Sequence, residues 1–281
     1  MFQESELRRH SPEALSNARA TAHKAVQFVT KAARANLPAE PDDSQSNLGW
    51  DDRLKAFLSQ PLRNSGSTYF VSVSLSPLKL GLFSNDQLIA DLDLENVSES
   101  HTANWLDTQL EQAGLKPAST IALPYELPSN VAKIETFHSD AGALLGLSTW
   151  FELAHGLLTK LAGENHDLNP GPSPIRCWPH HFDIATYVGL EVGDAETAKG
   201  IGVGMSPGDD SYNQPYFYIN PWPHPNPDNL PGLPAPGHWH TQGFVGAIAT
   251  SQEILSLNDI SGELPLFING AFALGLEILG V

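Results

Sequence analysis

The sequence predicts an α+β protein whose antiparallel sheets carry helices packed on one face. Three observations indicate this class. Apolar residues recur at three- and four-residue steps in several stretches, as on the buried side of a helix. Between them, apolar and polar residues alternate as they do in half-buried strands. The order of strands followed by a helix occurs twice, which favours two similar β-then-α halves.

Composition narrows the class of protein further. The chain has 281 residues, of which 41% are hydrophobic and 17% charged, as in globular proteins. The single cysteine, Cys177, excludes a disulfide framework and a cysteine-based zinc site. A net charge of -17, with no Lys or Arg after Lys199, argues against nucleic acid as a partner. No basic leader followed by an apolar run is visible, and no apolar run reaches the roughly 20 residues of a membrane span. We therefore expect a cytoplasmic protein with no membrane partner, and the oligomeric state stays open.

Three segments are expected to pack as one unit: a helical N-terminal segment (1–63), a first α+β half (64–165) and a second α+β half (166–281). In the first segment, Ser11 and Pro12 are typical of a helix start, and the apolar stripe continues to Ala33. Residues 37–49 read as a polar loop. A short helix is predicted at Asp51–Ser59.

The first half begins with three strands and ends with a long helix. The turn at Ser84–Asp86 joins the second strand to the third. Gly114 is expected to end the first helix of this half, Ser139 or Asp140 to open the second, and Gly163 to close it. The predicted elements are strands at Tyr69–Ser76, Leu78–Phe83, Gln87–Leu94 and Ser119–Leu123, and a helix at His101–Ala113.

The second half contains four predicted strands and a final helix that is apolar nearly all round. These elements are strands at Ile175–Leu190, Gly200–Met205, Pro215–Asn220 and Gly243–Thr250, and a helix at Leu264–Leu279. Sixteen Pro or Gly residues fall among the 44 positions from Gly200 to Gly243. Proline fixes φ, so we expect the loop 221–236 to be well ordered.

Histidines concentrate in this second half, where five of the eleven fall between residues 180 and 240. If both segments are extended, His181 and Asp183 share one face of a strand, and His238 and His240 share one face of another. Three imidazoles and a carboxylate suit a divalent metal such as zinc, iron or manganese. The alternative is that these side chains only hydrogen-bond one another. Because such groups are costly to bury singly, we expect the two segments to converge, with His238 beside His181.

Other motifs give less specific signals. Asp209 and Asp210 form an Asp-rich turn that could supply a general base or a further metal ligand, although exposed turns of this kind are common. No His-Glu-Xaa-Xaa-His motif is present, and no Glu follows His240 at cupin spacing. Ser206 lies in a Gly-Xaa-Ser-Xaa-Gly-like sequence, but Pro207 removes the N–H that an oxyanion hole takes from that position.

Aromatic residues accompany the same histidines. A pocket for a planar or sugar-like ligand would use them as walls, with a few polar groups for orientation. The alternative is that they pack the sheet. The predicted ligand-binding residues are Trp178, His180, Tyr212, Trp222 and Trp239.

One stretch carries a resemblance to a known family. Ser173-Pro174-Ile175, Trp178 and the run Phe182-Asp183-Ile184-Ala185 resemble the Trp and Phe-Asp-Leu pattern of the DUF5996 family, bacterial proteins of unknown function. The order of elements is similar over nearly the whole chain. The resemblance implies Trp178, Phe182 and Asp183 as family positions. It does not imply His180 or His181, and it brings no known activity.

These observations lead to two alternatives for function. The first is a metal-dependent, hydrolase-like enzyme acting on a small molecule, with His181, Asp183, His238 and His240 as metal ligands. The second is a non-catalytic protein, which either binds a small molecule in an aromatic pocket or meets a protein partner through its aromatic loop.

Overall fold

The computed structural model describes residues 4–138, 140–193 and 197–281 and contains two antiparallel sheets with helices, so the protein is α+β. The chain divides into two compact units. The first unit comprises Ala14–Ser148 and Arg176–Phe182. The second unit comprises Met1–Glu13, Thr149–Ile175 and Asp183–Val281. The division at residue 149 falls inside a helix and differs from the boundaries expected at 63 and 165.

The described residues form seven α-helices and thirteen strands. The helices are α1 (Glu4–Leu7), α2 (Ser16–Asn36), α3 (Glu99–Gln112), α4 (Ser129–Ala132), α5 (Ala141–Glu164), α6 (Ser251–Leu255) and α7 (Ile260–Leu279). The strands of residues 49–93 are β1 (Gly49–Asp51), β2 (Ala56–Leu58), β3 (Leu62–Asn64), β4 (Ser67–Leu75), β5 (Leu78–Ser84) and β6 (Gln87–Asp93). The later strands are β7 (Gly171–Pro172), β8 (Arg176–Trp178), β9 (Asp183–Gly189), β10 (Gly200–Ser206), β11 (Tyr216–Trp222), β12 (His238–His240) and β13 (Gly246–Thr250).

The first unit is built around α2, most of whose residues are buried. The expected apolar stripe is present, with Ala22, Val26 and Val29 fully buried. The helix predicted from Ser11 starts later: a 3₁₀ turn occupies Pro12–Leu15, and α2 follows it. The helix packs against β4, the central strand of a sheet ordered β1-β2-β4-β5-β6, with β3 also paired to β4.

The short helix predicted at Asp51–Ser59 is wrong, because β1 and β2 form a hairpin there. The Asp51 carboxylate accepts hydrogen bonds from the N–H groups of Arg53 and Leu54 at 2.9 and 3.0 Å. Lys55 then adopts a left-handed conformation with φ 51°. Such a side-chain-to-backbone bond competes with helix formation and favours a turn.

The strand predicted at Ser119–Leu123 is also wrong, since those residues are irregular. Their N–H groups find another acceptor: the Asp107 carboxylate on α3 bonds the N–H groups of Ala118 and Ser119 at 2.7 and 3.1 Å. Asp140 opens α5 as expected, by accepting from the N–H of Gly142 at 2.8 Å. Ser139, the other predicted helix start, lies outside the described residues.

The strand predicted at Ile175–Leu190 is broken by a tight turn. The N–H groups of His181 and Phe182 both donate to the carbonyl of Trp178, at 3.2 and 2.7 Å. Phe182 has a positive φ of 60°. Because the chain reverses here, His181 and Asp183 are not alternate residues of one strand, and the expected shared face is wrong. Pro179 lacks an N–H and suits such a turn.

The second unit contains a sheet with the order β12-β13-β11-β10-β9-β7. Alternate side chains face opposite sides of a sheet, and directly paired residues face the same side. One side is apolar and buried; it comprises Ile184, Val188, Ile201, Val203, Met205, Phe217, Ile219, Ala247 and Ala249. The helix α7 packs against β11 on the apolar side, where Gly275 approaches the side chains of Ile201 and Pro221.

The helix α7 is longer than predicted, starting at Ile260. The Asp259 side chain caps it by accepting from the N–H of Gly262, and Gly280 ends it in a left-handed conformation. Among the described residues it is the one helix that satisfies the length and composition of a membrane span, and 39% of that window is buried in the protein. A core helix of a globular protein has the same properties.

Candidate functional site

The other side of the second unit's sheet carries glycines and large polar aromatic residues. On β10, Gly200, Gly202 and Gly204 all face this side. A β-carbon at Gly200 would overlap the ring of Tyr187, and one at Gly204 would overlap the hydroxyl end of Tyr218. The rings from β9 and β11 therefore lie across β10 at both ends, in space that only glycine leaves free. Between them, a β-carbon at Gly202 would meet nothing closer than 3.9 Å.

An open cavity of about 800 Å³ lies on this side of the sheet. Gly202 and Asn220, which pair across β10 and β11, contribute to its lining. Tyr187 and Trp222 contribute aromatic surface, and Lys199 adds a cationic side chain. Small-molecule sites typically have volumes of roughly 300–1,000 Å³, with mostly apolar walls and few polar groups. This cavity therefore has the size and lining of a ligand site.

Among the described residues, little net charge faces the cavity. Lys199 Nζ is 3.3 Å from Glu191 Oε1, so the cation is already paired. Burial raises the pKa of Tyr187, which keeps its phenol neutral at physiological pH. The imidazole of His224 stands edge-on to Trp222, with ring centroids 4.9 Å apart. This environment favours an uncharged ligand over an anion.

Asn220 is a polar residue of the lining with an unusual environment. Its side-chain Oδ1 is buried and has no hydrogen-bond partner among the described residues. The oxygen lies toward Gly246 of β13, where a β-carbon would be 3.3 Å away. A buried carbonyl without a donor costs about 1–3 kcal/mol, and such costs are concentrated at functional sites.

Two histidines and a tyrosine converge on the same side of the sheet; we call Tyr212, His238, His240 and Glu253 the Tyr212 centre. Tyr212 Oη is 3.1 Å from His238 Nε2 and 3.0 Å from His240 Nδ1. His238 Nδ1 is 2.9 Å from Glu253 Oε1. His240 Nε2 donates to the carbonyl of Gln242 at 2.6 Å. The predicted sharing of a face by His238 and His240 is confirmed by their register with Ile248 and Gly246.

Local sequence holds each member of the Tyr212 centre in place. Glu253 belongs to the capping box of α6: its Oε2 accepts from Thr250 N at 2.7 Å and from the Thr250 hydroxyl at 2.6 Å. The ring of His240 stacks on Phe244, with centroids 4.3 Å apart. Burial, followed by the charges of Glu253 and Asp209, raises the pKa of Tyr212. The phenol therefore keeps its proton.

Asp209 orders the turn that carries Tyr212. Its Oδ1 accepts from the N–H groups of Ser211 and Tyr212 at 2.8 and 3.0 Å, and its Oδ2 accepts from Tyr216 Oη at 2.6 Å. Both oxygens are thus engaged, which favours a positioning role over the expected general base. Asp210 is exposed at the surface of this turn. Asp183 lies further along the same side of the sheet, where its Oδ2 accepts from Tyr218 Oη at 2.5 Å.

The first unit holds the other histidine segment. His180 and His181 lie side by side with ring centroids 4.2 Å apart, and Trp178 is edge-on to His180. Burial lowers the pKa of His180, and neighbouring His181 adds to this effect. His181 is exposed. His23 on α2 is the deeper imidazole of this unit, with Nε2 donating to the carbonyl of Pro179 at 2.9 Å.

The predicted site residues thus fall in several places. Trp222 lines the cavity, and Tyr212, His238 and His240 form the Tyr212 centre. Trp239 faces the opposite side of β12, where its Nε1 donates to the carbonyl of Pro231 at 2.7 Å. The first unit contains Trp178, His180 and His181, whereas the second unit contains His238. The convergence of the two histidine segments therefore stays a prediction.

Sequence reasoning missed Glu253 and the residues that shape the cavity, namely Tyr187, Gly202 and Asn220. One signal was present: the alternating glycines of Gly200–Gly204 on a predicted strand, which mark close approach by other groups.

Two expectations remain: the metal site and the resemblance to a known family. Over residues 4–138, 140–193 and 197–281, no three His, Cys, Asp or Glu side chains are grouped so that they could hold a metal ion. No known family model, curated protein or solved structure matches this chain significantly. The fold and the site define an α+β protein with a ligand-sized cavity, and the resemblance to the DUF5996 family stays a prediction.

Proposed function

We propose that this protein binds a small, uncharged molecule with a flat ring in the cavity of the second unit. The observation that carries the proposal is the cavity of about 800 Å³ whose floor is left open by Gly202 between the rings of Tyr187 and Tyr218. A flat ligand fits a glycine floor because the ring can approach the strand backbone. Tyr187 and Trp222 then offer aromatic surface to the ligand.

Polar groups of the lining give the site its selectivity. Asn220 and Tyr187 can hydrogen-bond hydroxyl or amide groups of a ligand without adding charge. Lys199 is paired with Glu191, and no Lys or Arg follows it in the sequence. Planar heterocycles and nucleosides meet these requirements better than phosphorylated or carboxylated molecules.

Gly202 allows a sharp test. A β-carbon there meets only ordinary contacts at 3.9 Å, so Gly202→Ala fits the strand, and Gly202→Leu, which extends from the same β-carbon, is expected to fill the cavity floor. Gly232, with nothing within 4 Å of an added β-carbon, supplies the matched control Gly232→Ala. The measurement is the thermal stabilisation of wild type and variants by a panel of neutral heterocycles and nucleosides, with monosaccharides as uncharged compounds that lack a flat ring.

We expect at least one compound to stabilise the wild type by about 2.7 kcal/mol at a hundredfold excess over its Kd. Gly202→Leu should lose this stabilisation, and Gly232→Ala should keep it. A panel without any stabilising compound, or equal stabilisation of Gly202→Leu, would contradict the proposal.

The metal-dependent hydrolase expected from the sequence is the second candidate. One observation favours a metal in this protein: two imidazoles converge on Tyr212. The ligands would then differ from the expected set of His181, Asp183, His238 and His240.

A further inference from the structure

We propose that the Tyr212 centre binds one divalent transition-metal ion through His238 Nε2, His240 Nδ1 and Tyr212 Oη. This inference is independent of the small-molecule cavity. It differs from the expected metal site because Tyr212 takes the place of His181 and Asp183.

The hydrogen bonds fix which nitrogen of each imidazole carries a proton. The Glu253 carboxylate and the Gln242 carbonyl are acceptors, so His238 Nδ1 and His240 Nε2 must donate to them. When both imidazoles are neutral, the remaining nitrogens carry no proton and present a lone pair. These nitrogens are His238 Nε2 and His240 Nδ1. Both lone pairs point at Tyr212 Oη.

With both imidazoles neutral, this arrangement has one donor too few. The phenol of Tyr212 has a single proton, and it can donate that proton to only one of the two nitrogens at a time. The other nitrogen faces an oxygen lone pair. A metal ion among the three atoms removes this conflict: on binding, the phenol releases its proton to solvent, and the ion accepts electron pairs from both nitrogens and from the phenolate oxygen.

Distances agree with such a site. Two ligand atoms about 2.1 Å from one ion are about 3.0 Å apart at a right angle and about 3.4 Å apart at the tetrahedral angle. Tyr212 Oη is 3.1 and 3.0 Å from the two nitrogens. Side chains of His238 and Glu253 are 40% and 34% exposed, so an ion can enter from solvent.

The groups behind the imidazoles are those that support metal sites. A metal-ligating histidine commonly donates its other N–H to a carboxylate or a backbone carbonyl, which sets the tautomer and the ring orientation. His238 has the first arrangement and His240 the second. Two imidazoles with an oxygen ligand suit zinc, iron, nickel or copper.

The test uses Zn²⁺ as the probe, titrated calorimetrically into the untagged, chelator-treated full chain. We expect one Zn²⁺ per wild-type chain. His238→Ala and His240→Ala should each weaken binding by more than about a hundredfold. Glu253→Gln should weaken it about 10- to 100-fold, because it removes the group that orients His238. His166→Ala, which changes an exposed imidazole elsewhere in the second unit, is the control with unchanged affinity.

Tyr212→Phe separates loss of metal binding from loss of folding, because it removes only Oη. The ring stays next to that of Tyr216, with centroids 5.0 Å apart. It should bind Zn²⁺ at least tenfold more weakly while unfolding within a few degrees of wild type. A wild-type chain that takes up no Zn²⁺ at micromolar concentration overturns the proposal. So does uptake that is unaffected in the His238, His240 and Tyr212 variants, because the ion would then be held elsewhere.

Discussion

Tyr218 Oη donates a 2.5 Å hydrogen bond to Asp183 Oδ2, across the intervening strand β10. The side chain starts on β11 and the carboxylate on β9, so the phenol must pass over Gly204. This relationship explains why β10 presents glycine at that point. The bond also holds the Tyr218 ring at Gly204, two residues along β10 from the cavity residue Gly202.

The first prediction concerns Gly204. An added β-carbon would lie 2.8 Å from the backbone carbonyl of Ile184 and would overlap Tyr218 as well. Because backbone cannot move aside cheaply, Gly204→Ala should lower the free energy of unfolding by about 1–3 kcal/mol. Urea unfolding measures the change. Gly202→Ala, on the same strand with 3.9 Å to its nearest neighbour, should change stability little; equal effects of the two substitutions would refute this explanation.

The second prediction concerns the pH dependence of the first unit. His23 is 4% exposed, and burial lowers its pKa to about 4, with smaller contributions from Arg19, His181 and His180. Its hydrogen bond to the Pro179 carbonyl acts in the opposite direction. Well above pH 6.5 the imidazole is neutral in the folded and unfolded states, so it adds no pH dependence there.

Between pH 6.5 and 4 only the unfolded state takes up the proton of His23, so the free energy of unfolding falls as the pH falls. One pKa unit corresponds to about 1.4 kcal/mol, so the loss reaches about 3 kcal/mol at pH 4. In His23→Gln this contribution is absent. Denaturant unfolding from pH 7 to 4 should therefore show a flatter curve for the variant, and parallel curves would count against the buried neutral imidazole.

Elements with strong local signals were predictable from sequence. Asn85 and Asp86 adopt the positive φ values of a tight hairpin turn, so the hairpin of β5 and β6 follows from a short turn-forming sequence. Gly114 ends α3 in a left-handed conformation, as expected. The alternation in His238-Trp239-His240 correctly gave the shared face of the two histidines, because a two-residue period needs no tertiary information.

The candidate site depends on contacts that sequence does not display. Tyr187 and Asn220 flank Gly202 only because β9, β10 and β11 pair in one register, and their positions span 33 residues. Glu253 reaches His238 because α6 begins directly after β13. A single side chain also explains why the helix predicted at Asp51–Ser59 is wrong. The hydrogen bonds of Asp51 favour a turn where the residue pattern favoured a helix.

The third prediction is that Asn220 lowers the stability of the fold. Its Oδ1 is buried without a hydrogen-bond partner among the described residues. Asn220→Leu, a replacement with the same branching at Cγ, should raise the free energy of unfolding by about 1 kcal/mol, because it removes an unsatisfied polar group. The same substitution should abolish binding of any ligand that the wild-type cavity accepts. A less stable variant would show that the carboxamide is satisfied in solution.

The last prediction concerns the proline-rich loop 221–236, which the sequence predicts to be ordered. Its prolines restrict φ, so the loop loses less entropy on ordering than another loop of its length. Contacts also hold it: Trp239 Nε1 donates to the Pro231 carbonyl at 2.7 Å, and Pro234 lies against Gly270 of α7. The native chain should therefore resist proteinase K at Asp228–Leu230, the longest stretch of the loop without proline. Trp239→Phe removes the hydrogen bond and keeps most of the aromatic packing, so cleavage there should become faster. Mass spectrometry of the fragments locates the cut, and rapid cleavage of the wild-type loop would show that the prolines and the Trp239 bond do not order it.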